Sequence, residues 1–170
     1  MTLTSQFSLR GKCDLSTVQD MGTDVFAGRA EWDISLADGA GAGQANLVFM
    51  DRRNIAASAT DSLDLNGGGL LDPQRNTLVF ARIKGLWVRA VSTNNAANNV
   101  VVTRPAANGV PLFTAAGDSL ALRPGEIFTW TSPTAAGVVV TAATGDLIDF
   151  VNSAGTNTVD YDVVILGAAT

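Results

Sequence analysis

The chain has 170 residues, 46% hydrophobic and 16% charged, with a net charge of −5. That length makes one domain, at most a domain with an arm, and can bury a core without staples. The composition excludes a disordered chain, and the acidic balance suggests no surface for nucleic-acid phosphates.

A single cysteine, Cys13, and the absence of histidine remove whole classes of chemistry. No intrachain disulfide can form, and neither can a Ser-His-Asp or Cys-His pair. Zinc would need several cysteines in place of histidine. No GxSxG, GxxxxGK[ST] or strand–GxGxxG–helix pattern occurs. The chain is therefore expected not to be an enzyme and to need no cofactor or metal. With no partner base to activate it, Cys13 is expected to be a structural thiol.

The N-terminus, MTLTSQFSLRGKCD, has no apolar run after its basic residues, so no secretory signal is expected. No stretch approaches the length of a membrane span, and a product kept in a cytoplasm is expected. Residues 1–43 hold short apolar patches, Phe7, Leu9, Val25, Phe26, Trp32, Ile34 and Leu36, among polar residues. DVFAGRAEWDISL, residues 24–36, suits a strand or two. ADGAGAG follows and reads as a flexible joint, since no helical pattern comes after its glycines. The expectation is an N-terminal arm or hairpin, residues 1–43, on a hinge. It either adds strands to its own domain or packs on a neighbouring subunit. Phe7, Leu9, Phe26, Trp32, Ile34 and Leu36 are its candidate oligomer or capsid contacts.

From residue 44 onward, strands recur. TLVFARIKGLWVRAV, residues 77–91, reads as one long strand. Val79, Ala81, Ile83, Trp87 and Val91 share one face, and Phe80, Leu86 and Val88 share the other with Arg82 and Lys84. NVVVT (99–103), DSLALR (118–123), EIFTWT (126–131), GVVVTAA (137–143), and residues 146–151 and 158–166 follow, separated by Gly, Pro or Asn breaks. No window has a helical period. The fold expected for residues 44–170 is all-β, a jelly-roll-like β-sandwich of eight short strands in two sheets.

The stretch TGDLIDFVNSAGTNTVDYDVVILG (144–167) carries Asp146, Asp149, Asp160 and Asp162. It reads as two strands closed by a tight turn. Asp160 and Asp162 alternate with Val159, Tyr161 and Val163 and so share a face. An EF-hand DxDxDG pattern is missing, and a glycosidase carboxylate pair would need an aromatic-lined cleft. The four acids are expected to form a wet outer face that resists aggregation.

QANLVFMDRRNIAASATDSLDLNGGGLLDPQRNTLVFARIKGLWVRAV (44–91), LRPGEIFTWTSPTAAGVVVTAATGDLIDFVNSAG and the final VDYDVVILG carry a resemblance. Over residues 44–170 the chain resembles a type of tailed-bacteriophage virion protein that decorates capsids. The resemblance implies a β-sandwich in a virion assembled in the host cytoplasm, often as a homotrimer. Its implied partners are itself and the major capsid protein or other virion proteins, with no nucleic acid and no membrane. Arg52-Arg53 and Asp72-Pro73-Gln74-Arg75 depart from the pattern, where loops are expected to vary. From Asn95 onward only Arg104 and Arg123 are basic, and a charge-poor surface suits packing of copies on one another. A tail or fibre component, or a receptor- or glycan-binding module using Trp87 or Trp130, is the alternative.

Overall fold

The computed structural model describes residues 2–91 and 93–169, and among them there are strands, turns and loops but no helix. Among the described residues eleven strands occur: β1 (Ser5–Gln19), β2 (Gly22–Leu36), β3 (Leu47–Ile55), β4 (Thr60–Asp64), β5 (Arg82–Ala90), β6 (Val100–Thr103), β7 (Ser119–Leu122), β8 (Ile127–Thr131), β9 (Val138–Val139), β10 (Leu147–Asn152) and β11 (Val159–Ala168). The all-β expectation stands.

Residues 44–169 make a sandwich of two antiparallel sheets. One has the order β3-β11-β5-β8, with the short β9 also on β5; the other has the order β4-β10-β6-β7. The inward residues alternate along each strand. Ile148 and Phe150 of β10 and Val159, Tyr161, Val163 and Ile165 of β11 are all buried, and they join Leu86, Val88, Val100 and Val102 in one core. Period-two alternation and a core of β-branched side chains are what hold two facing sheets together.

Two expectations about strands are corrected here. Residues 144–167 are not a hairpin: β10 and β11 lie in different sheets, so their connection crosses the sandwich. The stretch 77–91 is not one strand either. Pairing with β11 begins at Arg82, and the register shifts between Leu166, opposite Gly85, and Gly167, opposite Ile83. Lys84 is the extra residue of this bulge. A bulge reverses which side chains face inward. Hence Ile83 is buried on one side of it and Leu86, Val88 and Ala90 on the other, while Val79 is exposed and Trp87 turns outward.

β1 and β2 pair only with each other, in register from Ser5↔Leu36 to Gln19↔Gly22, with Asp20-Met21 as a two-residue tip. At about 3.3 Å per residue, this ribbon is about 50 Å long. Its root rests on the outside of the β3-β11-β5-β8 sheet, where Leu36, Ile34 and Leu3 meet Ala45, Val48, Trp87 and Leu166.

The glycine–alanine segment is a folded turn rather than the free joint expected from its composition. Ala37 N–H donates to Gly43 O (2.8 Å), Ala45 N–H to Ala37 O (2.8 Å) and Gly43 N–H to Pro133 O (2.7 Å). The buried Lys84 ammonium clamps it from below, donating to the backbone carbonyls of Gly41 (3.4 Å), Ala135 (2.7 Å) and Thr134. Three carbonyls replace the water that burial removes. Burial, with Arg82 nearby, still holds the amine below the usual lysine range.

Candidate interaction surface

Strand pairing puts directly opposed residues on the same face of the ribbon. One face carries Phe7/Ile34, Leu9/Trp32, Gly11/Ala30, Cys13/Gly28 and Leu15/Phe26, with Thr17/Asp24 toward the tip; the other carries Ser8/Asp33, Arg10/Glu31 and Lys12/Arg29, with the exposed Val18 and Val25 toward the tip. Much of the polar face is internally paired. Arg10 meets Glu31 at 2.6 Å, Lys12 meets Asp14 at 2.6 Å, and Ser8 Oγ donates to Asp33.

The apolar face is covered only at its root. Leu36 is 2% exposed and Phe7 stacks on Trp87, with ring centroids 5.4 Å apart and 26° between planes. Further out, Leu9 is 47% exposed, Trp32 59%, Leu15 66% and Phe26 68%. The six candidate contacts therefore divide. Phe7, Ile34 and Leu36 are spent on the chain's own sandwich, whereas Leu9, Phe26 and Trp32 face water. Leu15 completes the exposed set; its alternation with Leu9 and Phe7 was the signal that could have found it. Cys13, expected to be a structural thiol, is also exposed on this face. A two-stranded ribbon is marginal by itself, and an exposed apolar face of this size makes the ribbon the candidate interaction surface.

The acids of the 144–167 stretch have separate duties. Asp162 lies between two guanidiniums, Arg52 (2.6 Å) and Arg89, across three strands. The Arg52 bond, supported by Arg89, holds its carboxyl below the usual range. Asp160 accepts from Asn54 Nδ2 (2.7 Å) and Asp149 from Ser62 Oγ (2.6 Å). Asp146 departs from the wet face: it is buried and accepts from Ala143 N–H to close the turn before β10. Among the described residues, no three acidic or cysteine side chains gather as metal ligands.

Arg52 and Arg53 are strand residues of β3 rather than a variable loop. Arg53 reaches across the open edge of the sandwich to Asp61 of β4 (2.9 Å), which also accepts from the Tyr161 hydroxyl (2.9 Å). Asp72 does head a turn, accepting from the N–H groups of Gln74 and Asn76, each at 2.8 Å.

Of the two tryptophans considered as sugar platforms, Trp87 is half-buried under Phe7 and donates from Nε1 to Thr131 Oγ1 (3.2 Å). Trp130 is half-buried against the core. The open indole is that of Trp32, out on the ribbon.

No family model, no curated protein and no solved structure matches this chain.

Proposed function

We propose that this chain is a structural protein of a tailed-phage virion, decorating and stabilising the head as a homo-oligomer, with a trimer as the copy number the resemblance implies. Its sandwich is of jelly-roll type, a reading supported by the strand orders β3-β11-β5-β8 and β4-β10-β6-β7. It acts by packing rather than by catalysis.

The observation that carries this reading is the distal apolar face of the ribbon, held away from its own sandwich with Trp32, Phe26 and Leu15 in water. Leaving such side chains exposed forgoes roughly 1.5–3 kcal/mol each, and several together rival the net stability of a domain. A neighbour that covers them recovers that energy. Leu120, Ile127 and Val139, on β7, β8 and β9, are exposed as well, in a part of the chain poor in charge, which suits packing between sandwiches.

The test is a reconstruction of intact particles, with copy number from quantitative mass spectrometry. Ordered copies on the head lattice are expected. Density confined to the tail or fibres would replace this reading with the tail-component alternative, and absence from particles would overturn both.

A further inference from the structure

We infer that the distal apolar face of the ribbon is covered by the same face of a second copy, packed antiparallel about a two-fold axis at the Cys13/Gly28 pair. This rests on the self-association proposed above and names its contact.

The face has a graded profile. Two rows of small residues, Gly11/Ala30 and Cys13/Gly28, lie between rows of large ones, Leu9/Trp32 and Leu15/Phe26. The small rows floor an open groove of ≈ 380 Å³ lined by Gly11, Lys12, Cys13, Gly28, Arg29 and Ala30, with the Phe26 ring leaning over Gly28. That profile is its own complement. A two-fold at Cys13/Gly28 lays each copy's Leu15/Phe26 over the other's Gly11/Ala30, twice over. Moving the axis by half a row sets large on large and small on small, which leaves voids at the usual sheet spacing of about 10 Å. Moving it a full row toward the root drives the partner's Leu15/Phe26 onto Phe7 and Ile34, which the first copy's own sandwich already covers.

Charge limits the contact without opposing its centre. Arg10, Glu31, Lys12 and Asp14 lie on the opposite face and are already paired within one ribbon, and the one acid on the apolar face, Asp24 opposite Thr17, falls at the rim, beside the partner's Leu9/Trp32 row. The isologous contact is the commonest form of self-association. Two aromatic and two leucine side chains, about half to two thirds open, supply on the order of 400–500 Å² per copy. The pair then buries about 1,000 Å², near the threshold of a specific interface. Three copies around a three-fold axis would each still have a ribbon free to reach a neighbouring cluster.

The experiment uses the purified full-length chain without particles. A short bismaleimide, which adds to one thiol at each end, should span the roughly 10 Å between facing sheets and link Cys13 to Cys13 of the second copy. A Cys13→Ser, Ser16→Cys variant, whose thiol lies on the polar face, should cross-link at least about tenfold more slowly. Leu15→Asp with Phe26→Asp, at positions exposed in the single chain, should leave the circular dichroism spectrum unchanged, abolish cross-linking through Cys13 and lower the mass seen by light scattering. Equal cross-linking by the two thiols, or an unchanged mass for the double aspartate variant, would overturn the inference. A chain that stays monomeric yet decorates particles overturns it and leaves the virion reading standing. A chain that dimerises through Cys13 and is absent from particles does the reverse.

Discussion

The ring of Phe7 stacks on that of Trp87, and this contact fixes the root of the ribbon to the outer face of the sandwich. Sheet-face tryptophans are usually covered by neighbours or left to water; here the cover comes from a segment eighty residues earlier in the chain. Trp87→Ala should remove about 0.5–1.5 kcal/mol of aromatic pairing beyond the area lost. Hydrogen exchange should speed up at Phe7 and Ile34 and stay unchanged at Val102 and Phe150. Uniform acceleration throughout the sandwich would show that Trp87 supports the core rather than the ribbon.

The open edge between β3 and β4 should fail at both extremes of pH. Burial raises the Asp61 carboxyl, but the bonds from Arg53 and Tyr161 outweigh it and hold the group below the usual carboxylate range. Its contribution is therefore complete above the unfolded value of about 4 and is lost as pH falls through the folded value. Burial, reinforced by Asp61, raises the Tyr161 hydroxyl, so its contribution is complete below about 10 and is lost as pH rises further. Chemical denaturation across pH should show both limbs. Asp61→Asn should flatten the acid limb and lower stability at neutral pH by about 1–3 kcal/mol. An acid limb of unchanged depth in this variant would assign acid unfolding to other carboxylates.

Lys84 ties the turn at Gly41 to the β8–β9 loop at Thr134 and Ala135. Lys84→Met keeps the stem in place and removes the three donated bonds. The expected cost is about 1–3 kcal/mol. Faster hydrogen exchange should follow at Ala37 and Gly43, whose N–H groups close the turn. If both amides stay as protected as in the parent chain, the turn holds without its clamp.

Two glycines that flank the bulge, Gly85 opposite Leu166 and Gly167 opposite Ile83, should respond differently to alanine. A Cβ at Gly85 would meet the Leu166 side chain at 3.6 Å, an ordinary contact. At Gly167 it would collide with the Arg82 carbonyl and the buried Phe80 ring. Gly85→Ala should change the melting temperature by a few degrees at most, while Gly167→Ala should lose at least about 1–3 kcal/mol through overpacking. Equal tolerance at both sites would mean that the bulge relaxes freely.

Removing the whole arm and removing only its far end should differ. Deleting residues 1–43 uncovers Leu166, Val48 and Trp87 and should leave a folded but less stable sandwich that no longer self-associates. Replacing residues 11–30 by a two-residue turn keeps the Phe7, Ile34 and Leu36 contacts, so it should retain parental stability and still lose self-association. If the shortened ribbon associates normally, the contact lies on the sandwich flank at Ile127 and Val139.

Much of the fold was legible along the chain because strand alternation is local. The inward Val159, Tyr161 and Val163 and the outward Asp160 and Asp162 follow from a period of two, whatever the strand pairs with. The strands at 100–103, 119–122 and 127–131 could likewise be read from their own residues and the breaks around them. Pairing is not local. Whether β10 joins β11 or crosses to the other sheet depends on contacts with β4, β6, β3 and β5, which no window of ten residues contains. The bulge at Lys84 depends on β11, more than seventy residues away, and one extra residue reverses every face after it. The arm shows the same division. Its apolar residues were visible as a set, but only the register Ser5↔Leu36 put them on one face, and only the Phe7–Trp87 contact separated those the chain covers itself from those it leaves in water.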